Sequence, residues 1–260
     1  MNRHPSEAHD GMTADRPSPP GVVDEALRAK QPARIAGMFD AIAHRYDLLN
    51  RVLSGGLDQR WRARAIAALR LQPGHVLLDV CTGTADVALS ALASPTPPGR
   101  VVGVDFSGEM LRRAMTKTRR TRRESRLLLA QADATRLPLP DRSADAAAIA
   151  FGIRNVQQPE AACRELARVL RPGGRLAVLE FGLPASPRFR ALYLWYVKRV
   201  LPVIGRVVSR HDSAYAYLPE SVGRFPPPEE FGQLLQACGF PHVEVVPLTL
   251  GVVYLYVAQT

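Results

Sequence analysis

Four short runs of this chain carry residue types that could bind a nucleoside-like cofactor, and each run comes at the end of a short apolar stretch. Gly83 follows the first stretch, Asp105 ends the second, Asp133 follows the third, and residues 150–155 come with the fourth. A glycine lets the backbone approach a ligand closely, because it has no Cβ. A carboxylate at a strand end can accept hydrogen bonds from both ribose hydroxyls of an adenosine, and Asp133 could accept one from an adenine amino group. In this order, the four runs predict a site for an adenosine-containing cofactor.

The first of these runs, residues 78–86 (LDVCTGTAD), excludes two common phosphate-binding motifs. It is not a P-loop, because no Gly-Lys-Ser/Thr sequence follows Gly83. A dinucleotide fingerprint would need glycine at two positions that are occupied by Cys81 and Asp86. The missing glycines argue against a nicotinamide-dependent dehydrogenase.

A regular alternation of strands and helices predicts the architecture that positions these runs. Several strands are continuous apolar runs, which are typical of strands buried on both faces of a parallel sheet. Strands that alternate with helices form βαβ units, and ligands of such sheets bind at the carboxyl ends of the strands. The sequence predicts an α/β fold with a doubly wound, mostly parallel seven-stranded sheet. The chain ends in a hairpin-like pair, so the last strand is expected to be antiparallel. The predicted strands are residues 75–80, 101–105, 127–130, 146–151, 176–181, 243–248 and 252–258, and residues 171–174 (RPGG) are predicted to form a turn before the fifth strand.

The domain organisation follows from length and composition. A chain of 260 residues predicts one or two domains, and one domain with an insertion is compatible with this length. Residues 1–33 are polar and rich in proline, which predicts a disordered tail. Residues 34–260 are predicted to form a single domain. It opens with two helices in residues 34–72, the second of which is predicted over residues 61–71 and is ended by Pro73 and Gly74. It also contains a lid-like insertion over residues 184–226.

Cysteine content and hydropathy exclude several other classes of protein. Three cysteines at wide spacing give neither a disulfide framework nor a CxxC metal or redox motif, and no metal site is predicted. Cys163 and Cys238 fit helix faces in the core. The sequence has no apolar run of membrane-spanning length and no signal peptide, which predicts a cytoplasmic protein.

Several motifs resemble the menaquinone/ubiquinone biosynthesis C-methyltransferase family, which belongs to the class I S-adenosylmethionine-dependent methyltransferases with a Rossmann-like fold. The resemblance covers about residues 34–258. It implies S-adenosyl-L-methionine as the cofactor, with contacts at Thr84, Asp105, Asp133 and Ala134. The motifs are residues 46–54 (YDLLNRVLS) with Trp61 and Arg62, 79–85 (DVCTGTA) with Asp105, 151–156 (FGIRNV), 168–176 (RVLRPGGRL), 179–181 (LEF) and 215–221 (YAYLPES).

The sequence departs from the wider class at a few positions. General methyltransferases prefer glycine where this chain has Cys81 and Ala85. Some members of the family have serine or glycine in place of Ala150, so a hydroxyl contact to the cofactor is missing here. Many members have histidine in place of Asp58, and we assign no role to that position.

The resemblance implies methylation of the ring of a polyprenylated quinol, with demethylmenaquinol as the substrate in the menaquinone branch. The chemistry agrees with this substrate. A ring carbon is a weak nucleophile until an adjacent hydroxyl ionises, and a quinone carbon is electrophilic, so the reduced quinol is expected to react. The enzyme must hold that carbon in line with the methyl group and exclude water.

Three residues are predicted to act on the substrate. Arg154 is expected to stabilise the developing phenolate, Asn155 to orient the hydroxyl, and Tyr46 to close over the site. A water held by Arg154, or His211, could take the proton. Structural alternatives stay open: Arg154 could pair with Asp133 or Glu180, Tyr46 could be a core aromatic, and His211 could be a surface residue.

Two stretches bear on partners. The formal net charge is +10, and seven arginines and one lysine lie in residues 112–126. This run is interpreted either as a solvated helix face or as a surface attracted to an anionic membrane. Residues 189–208 mix aromatic, aliphatic and basic side chains, which suits a lid over an apolar tail channel, a membrane-interface helix or a homodimer surface. The expected quinol substrate is embedded in the membrane. The protein is therefore also expected to make peripheral contact with the inner face of the cell membrane.

The sequence also leaves alternatives to quinol methylation open. The alternative enzyme is a methyltransferase for another small aromatic or amine substrate, or for RNA. No nucleic-acid partner is expected, because the chain has no RNA-binding motif beyond clustered arginines. A non-enzymatic cofactor-binding scaffold is the third hypothesis. Methyl transfer to quinols would exclude it.

Overall fold

In the computed structural model, residues 35, 37–41, 43–200 and 221–260 are described, and they contain one seven-stranded sheet of order β3-β2-β1-β4-β5-β7-β6. Strand β7 pairs antiparallel with both β5 and β6, whereas the other strand pairs are parallel. The predicted α/β fold and the antiparallel last strand are therefore confirmed. The strands are β1 (Val76–Val80), β2 (Arg100–Asp105), β3 (Leu127–Gln131), β4 (Ala144–Ala150), β5 (Leu170–Phe181), β6 (His242–Leu248) and β7 (Val253–Gln259).

Helices cover both faces of the sheet, and each face has its own apolar core. On one face α2, α3 and α4 contribute Trp61, Ala88 and Ala114 to the core. On the other face α5 and α7 contribute Cys163 and Phe231, and Cys238 follows α7 in the same core. Strands buried from both sides must be apolar, which explains their continuous hydrophobic runs. The helices are α1 (Tyr46–Leu53), α2 (Leu57–Ala68), α3 (Asp86–Leu92), α4 (Gly108–Arg120), α5 (Pro159–Val169), α6 (Pro187–Trp195) and α7 (Pro228–Ala237).

Two predicted boundaries differ from the structure. Helix α2 begins at Leu57 rather than Trp61, directly after Gly55 and Gly56, whose left-handed φ angles of 59° and 80° turn the chain out of α1. Strand β5 begins at Leu170 and includes residues 171–174, which the sequence predicted as a turn before the strand. These residues form an irregularity in the pairing with β4, since Ala144 pairs with Leu170 and Ala146 already pairs with Arg175.

The predicted insertion is described only in part. Residues 187–200 form α6 and a following π-helical turn, Tyr196–Val200. The predicted tail (residues 1–33), His211 and residues 215–220 of the last family motif lie outside the described residues. Within residues 35–200 and 221–260, as far as they are described, no helix combines the length and apolar character needed to cross a bilayer.

Candidate active site

A cavity of about 260 Å³ lies at the carboxyl edge of the sheet, where β1, β2 and β4 end beneath the N-terminal helical segment. Topology explains its position, because the carboxyl ends of parallel strands meet at one edge. Six of the eight predicted site residues line it, namely Tyr46, Gly83, Asp105, Asp133, Ala134 and Asn155.

The turn after β1 is shaped by three residues with left-handed backbone conformation. The φ angles are 55° at Cys81, 56° at Gly83 and 67° at Ala85. This explains the preference of general methyltransferases for glycine, since other residues cost about 1–2 kcal/mol in this conformation. A Cβ at Gly83 would meet no atom within 4 Å, so the backbone there borders open cavity space that a ligand can fill.

Asp105 is held in the cavity by two backbone amides. Its Oδ2 accepts a hydrogen bond from the Gly83 N–H at 2.8 Å, and its Oδ1 accepts one from the Ser107 N–H at 2.9 Å. Burial raises the pKa of Asp105, and these two hydrogen bonds oppose the shift. Each carboxylate oxygen has a second lone pair, so the fixed carboxylate can also accept from the hydroxyls of a ribose.

Asp133 lies in the loop after β3. Its Oδ1 accepts hydrogen bonds from the backbone N–H and the hydroxyl of Thr135, both at 2.8 Å. This local turn fixes the carboxylate at the cavity wall, next to the buried methyl group of Ala134. The wall can therefore present an acceptor and an apolar surface to a purine.

Asp79, within β1, is a buried carboxyl that begins the family motif at residues 79–85 but has no role assigned from the sequence. Its Oδ2 accepts from the Thr82 hydroxyl at 2.6 Å and from the Ala88 N–H at 3.1 Å. Burial raises the pKa of Asp79 to about 7. The signal was available, because an acid inside an otherwise apolar strand needs a reason to be there.

Close packing joins the turns after β1 and β4. A Cβ at Gly152 would lie 2.4 Å from the Cβ and 2.9 Å from the Sγ of Cys81, so only glycine fits there. The neighbouring Phe151 has a left-handed φ of 57° and lines the cavity. Backbone strain of this kind clusters at ligand sites. Here it brings the residues after β4 to the cofactor end of the cavity.

Tyr46 and Asn155 border the cavity from different elements. Tyr46, the first residue of α1, packs edge-on against Phe39 with ring centroids 6.1 Å apart. Burial raises the pKa of Tyr46, while its hydrogen bond with Asn50 and the charge of Arg154 oppose the shift. The side-chain amide of Asn155 donates to the Phe151 carbonyl at 3.4 Å.

Among the described residues, the cavity lining does not include Arg154. Its guanidinium pairs with the fully buried Glu180 at 2.6 Å and donates to the Phe151 carbonyl at 2.6 Å and to the Ser221 hydroxyl at 3.3 Å. The structure thus has the pairing with Glu180 that the sequence left open. A buried guanidinium requires such a partner.

Thr84 is the other predicted site residue outside the lining, within the part of the chain that the structure describes. Its hydroxyl donates to Asp47 Oδ1 of α1 at 2.5 Å. Asp58, which received no role, is buried and pairs with Arg62 in the next turn of α2.

Comparison with known proteins agrees with the geometry. The model of the ubiE/COQ5 methyltransferase family matches residues 27–260. The chain is 50% identical over 219 residues to the ubiquinone/menaquinone biosynthesis C-methyltransferase UbiE of Syntrophotalea carbinolica, covering 84% of this chain and 91% of that protein. It is 48% identical over 223 residues to the demethylmenaquinone methyltransferase of Thermus thermophilus, covering 85% and 99%.

Solved structures support the fold. The crystal structure of a SAM-dependent methyltransferase from Aquifex aeolicus superimposes with a TM-score of 0.53 at 20% identity, covering 76% of this chain and 88% of that one. At this identity the likeness shows the fold alone. The family match spans all described residues, including every element around the cavity, and the chain belongs to the ubiE/COQ5 methyltransferase family.

Proposed function

We propose that this protein transfers a methyl group from S-adenosyl-L-methionine to a ring carbon of a polyprenylated quinol, with demethylmenaquinol as the substrate and menaquinol as the product. One observation carries the proposal. One cavity is lined by the residues predicted to bind the cofactor, Gly83, Asp105 and Asp133. It is also lined by Tyr46 and Asn155, which are predicted to act on the substrate. The names of the relatives, which include a demethylmenaquinone methyltransferase, support this substrate class.

The residues of the cavity fit the cofactor. Asp105, fixed by two amides, accepts from the ribose hydroxyls, and Asp133 accepts from the purine amino group. The open space at Gly83 lets the ligand lie against the backbone. When bound, the cofactor supplies a methyl group that is already activated by a positively charged sulfur.

The residues after β4 and at the start of α1 are proposed to position the quinol. Asn155 orients the ring hydroxyl, and the Tyr46 ring covers the cavity and excludes water. Arg154 lies outside the cavity lining that the structure describes, and it is proposed to act on the site through its charge and through its contact with the Phe151 turn. Burial raises the pKa of Tyr46 and of Tyr193, and the charge of Arg154 partly opposes both shifts. The bond from Arg154 to the Phe151 carbonyl fixes the turn that presents Asn155. The same positive charge favours an ionised phenol nearby.

The test combines product analysis with cofactor binding. Purified protein, S-adenosyl-L-methionine and demethylmenaquinol in detergent should give menaquinol by mass spectrometry. Asp105→Ala should weaken cofactor binding about 100-fold, because the two hydrogen bonds proposed from the ribose hydroxyls to the charged carboxylate are lost. Calorimetry measures the dissociation constant.

The matched control is Asp145→Ala. Asp145 Oδ2 also accepts from a backbone amide, that of Val76 at 2.7 Å, but at the amino edge of the sheet. Cofactor affinity should survive this change. Absence of binding to the unaltered protein, or equal losses in both variants, would contradict the proposed site.

We also propose that helix α6 contacts an anionic membrane surface, where a prenylated quinol is located. Arg188, Leu192 and Trp195 lie four and three residues apart and so share one face of the helix. Leu192 and Trp195 are each 58% exposed, and tryptophan with arginine is typical of interfacial helices.

The basic run in and after α4 fits this role less well. Arg112 and Arg113 pair with Glu109, and Arg123 and Arg126 donate to backbone carbonyls. Such side chains are already engaged within the fold. The interpretation as a solvated, locally satisfied surface is therefore favoured for this run.

Vesicle co-sedimentation tests the membrane proposal. The unaltered chain should bind vesicles rich in phosphatidylglycerol at low salt, and Trp195→Glu should weaken binding about tenfold. Met115→Glu is the matched control, since Met115 is also an exposed apolar residue, 44% exposed, but lies on α4. Failure of the unaltered chain to bind at low salt, or equal losses in the two variants, would exclude α6 as the contact.

A further inference from the structure

The family motif at residues 46–54 begins at the cavity, and its polar side chains contact different neighbours. Tyr46 lines the cavity, Asn50 hydrogen-bonds with Tyr46, and Ser54 donates to Asp58 at 2.9 Å. The motif also contains Asp47, which the proposed reaction does not use.

Asp47 connects three elements through its two carboxylate oxygens. Oδ1 accepts from the hydroxyl of Thr84, in the turn after β1, at 2.5 Å. Oδ2 pairs with the Lys117 ammonium of α4 at 2.7 Å. Helix α1 is therefore joined to the turn that carries Gly83 by a hydrogen bond to a charged acceptor, a strong class of hydrogen bond.

The ionic contacts continue beyond Asp47. Lys117 also pairs with Asp86, the first residue of α3, and Asp86 Oδ2 pairs with Arg62 at 2.9 Å. Four helices thus meet around the turn after β1. Within this network, the Thr84 hydroxyl is the contact that belongs to the turn itself.

We propose that Asp47 is a positioning residue, which holds Tyr46 over the cavity by binding the hydroxyl of Thr84 in the turn that contacts the cofactor. The inference rests on the proposed function, because it assigns the cofactor to that turn. Tyr46 and Asp47 are adjacent at the start of α1, so a shift of the turn moves Tyr46 with it. Cofactor binding and closure by Tyr46 are then coupled, and the coupling acts in both directions.

A double-mutant cycle measures how strongly Asp47 and Thr84 depend on each other. Asp47→Ala and Thr84→Val should each lower kcat about tenfold with little change in the KM for the quinol, since one hydrogen bond to a charged group is lost in each. The kcat of the double variant should be no lower than that of the less active single variant, because both changes remove the same bond. Thr84→Val preserves side-chain volume and keeps the test valid if Asp47→Ala does not fold.

A second cycle tests whether Asp47 acts through Tyr46. In a Tyr46→Ala background, Asp47→Ala should change kcat less than about twofold, because the side chain that it positions is absent. Lys117→Met is the control. It removes the ion pair of Asp47 but leaves the bond to Thr84, and kcat should stay within about threefold of the unaltered value.

The outcomes separate this inference from the function on which it rests. A protein that neither binds S-adenosyl-L-methionine nor methylates quinols overturns both. A protein that binds and methylates, but in which the losses of Asp47→Ala and Thr84→Val add, overturns the positioning role alone. An equal loss in Lys117→Met would assign the effect to the ionic network instead of the Thr84 bond.

Discussion

The two halves of the cavity are built in different ways. In the cofactor half, at the ends of β1, β2 and β3, most fixing contacts are local: Asp79 with Thr82, Asp105 with Ser107, and Asp133 with Thr135. In the reaction half, after β4, local hydrogen bonds to the Phe151 carbonyl are joined by contacts between distant parts of the chain. Arg154 binds Glu180 and Ser221, which are 26 and 67 residues away.

Because of this difference, changes in the two halves should affect different properties, namely the affinity for the ligand and the stability of the fold. A local contact such as the Asp133 turn can be lost with little effect on the remaining fold. The Arg154–Glu180 pair, in contrast, is buried and packs beneath an aromatic cluster in which the Phe151 and Phe181 centroids are 4.6 Å apart. The guanidinium carbon lies 5.4 Å from the Phe181 ring centre. Changes in the reaction half should therefore destabilise the protein, and changes in the cofactor half should weaken binding first.

The largest expected effect is that of Glu180→Ala. It leaves the Arg154 guanidinium buried without its carboxylate, which typically costs about 3–5 kcal/mol of unfolding free energy. Urea denaturation measures the loss. The matched control is Glu160→Ala, which breaks the pair with Arg164, whose side chains are 55% and 64% exposed, and should change the free energy by less than about 1 kcal/mol.

The comparison fails if the two variants lose similar stability. In that case the Arg154–Glu180 pair would behave as a solvated pair, and Arg154 would be available to the substrate in the way that the sequence first predicted. Normal stability of Glu180→Ala together with lost turnover would indicate a direct role of the pair in the reaction.

An intermediate effect is expected where the two halves meet. Gly152→Ala places a Cβ 2.4 Å from the Cβ of Cys81 and should destabilise the protein by about 1–3 kcal/mol through overpacking. Cys81→Gly removes the obstructing atoms and relieves the left-handed strain at that residue. In thermal unfolding, Cys81→Gly should therefore stabilise the Gly152→Ala variant by more than it stabilises the unaltered protein. Purely additive losses would show that the two turns do not limit one another.

The fold was largely predictable, because it follows from periodicity. Six of the seven strands lie within two residues of their predicted bounds, since buried parallel strands are marked by apolar runs. The exception is β5, where a Pro-Gly-Gly sequence predicts a turn, but the backbone of residues 171–174 stays in the strand as an irregularity. Turn chemistry outweighed strand pairing in that prediction.

The site was predictable where topology alone decides it. Asp105 ends one parallel strand and Asp133 follows another, and any doubly wound sheet brings these strand ends to one edge. The partners of Thr84 and Arg154 depend on how α1 and β5 pack, over separations of 37 and 26 residues, and no local pattern encodes that. Their assigned roles stay predictions, with Thr84 bound to Asp47 and Arg154 to Glu180.

A gradual effect, spread over about three pH units, is the pH dependence of stability contributed by Asp79 in the cofactor half. Burial raises its pKa from 3.8 to about 7, so between these values the folded state binds more protons than the unfolded state. Stability from this group is fully present below pH 4 and is lost as the pH rises through 7, with a slope of at most about 1.4 kcal/mol per pH unit. Asp79→Asn should flatten the curve in this window, measured by urea unfolding at several pH values.

Glu165 gives the opposite sign and serves as the control. Its hydrogen bond with Arg168 lowers the pKa of Glu165, so its contribution is lost as the pH falls below the ordinary range of a glutamate. Glu165→Gln should therefore change the acid side of the curve and leave the slope between pH 4 and 7 intact. If Asp79→Asn also leaves that slope intact, Asp79 ionises normally, and the cofactor half does not bury a protonated acid beneath its turn.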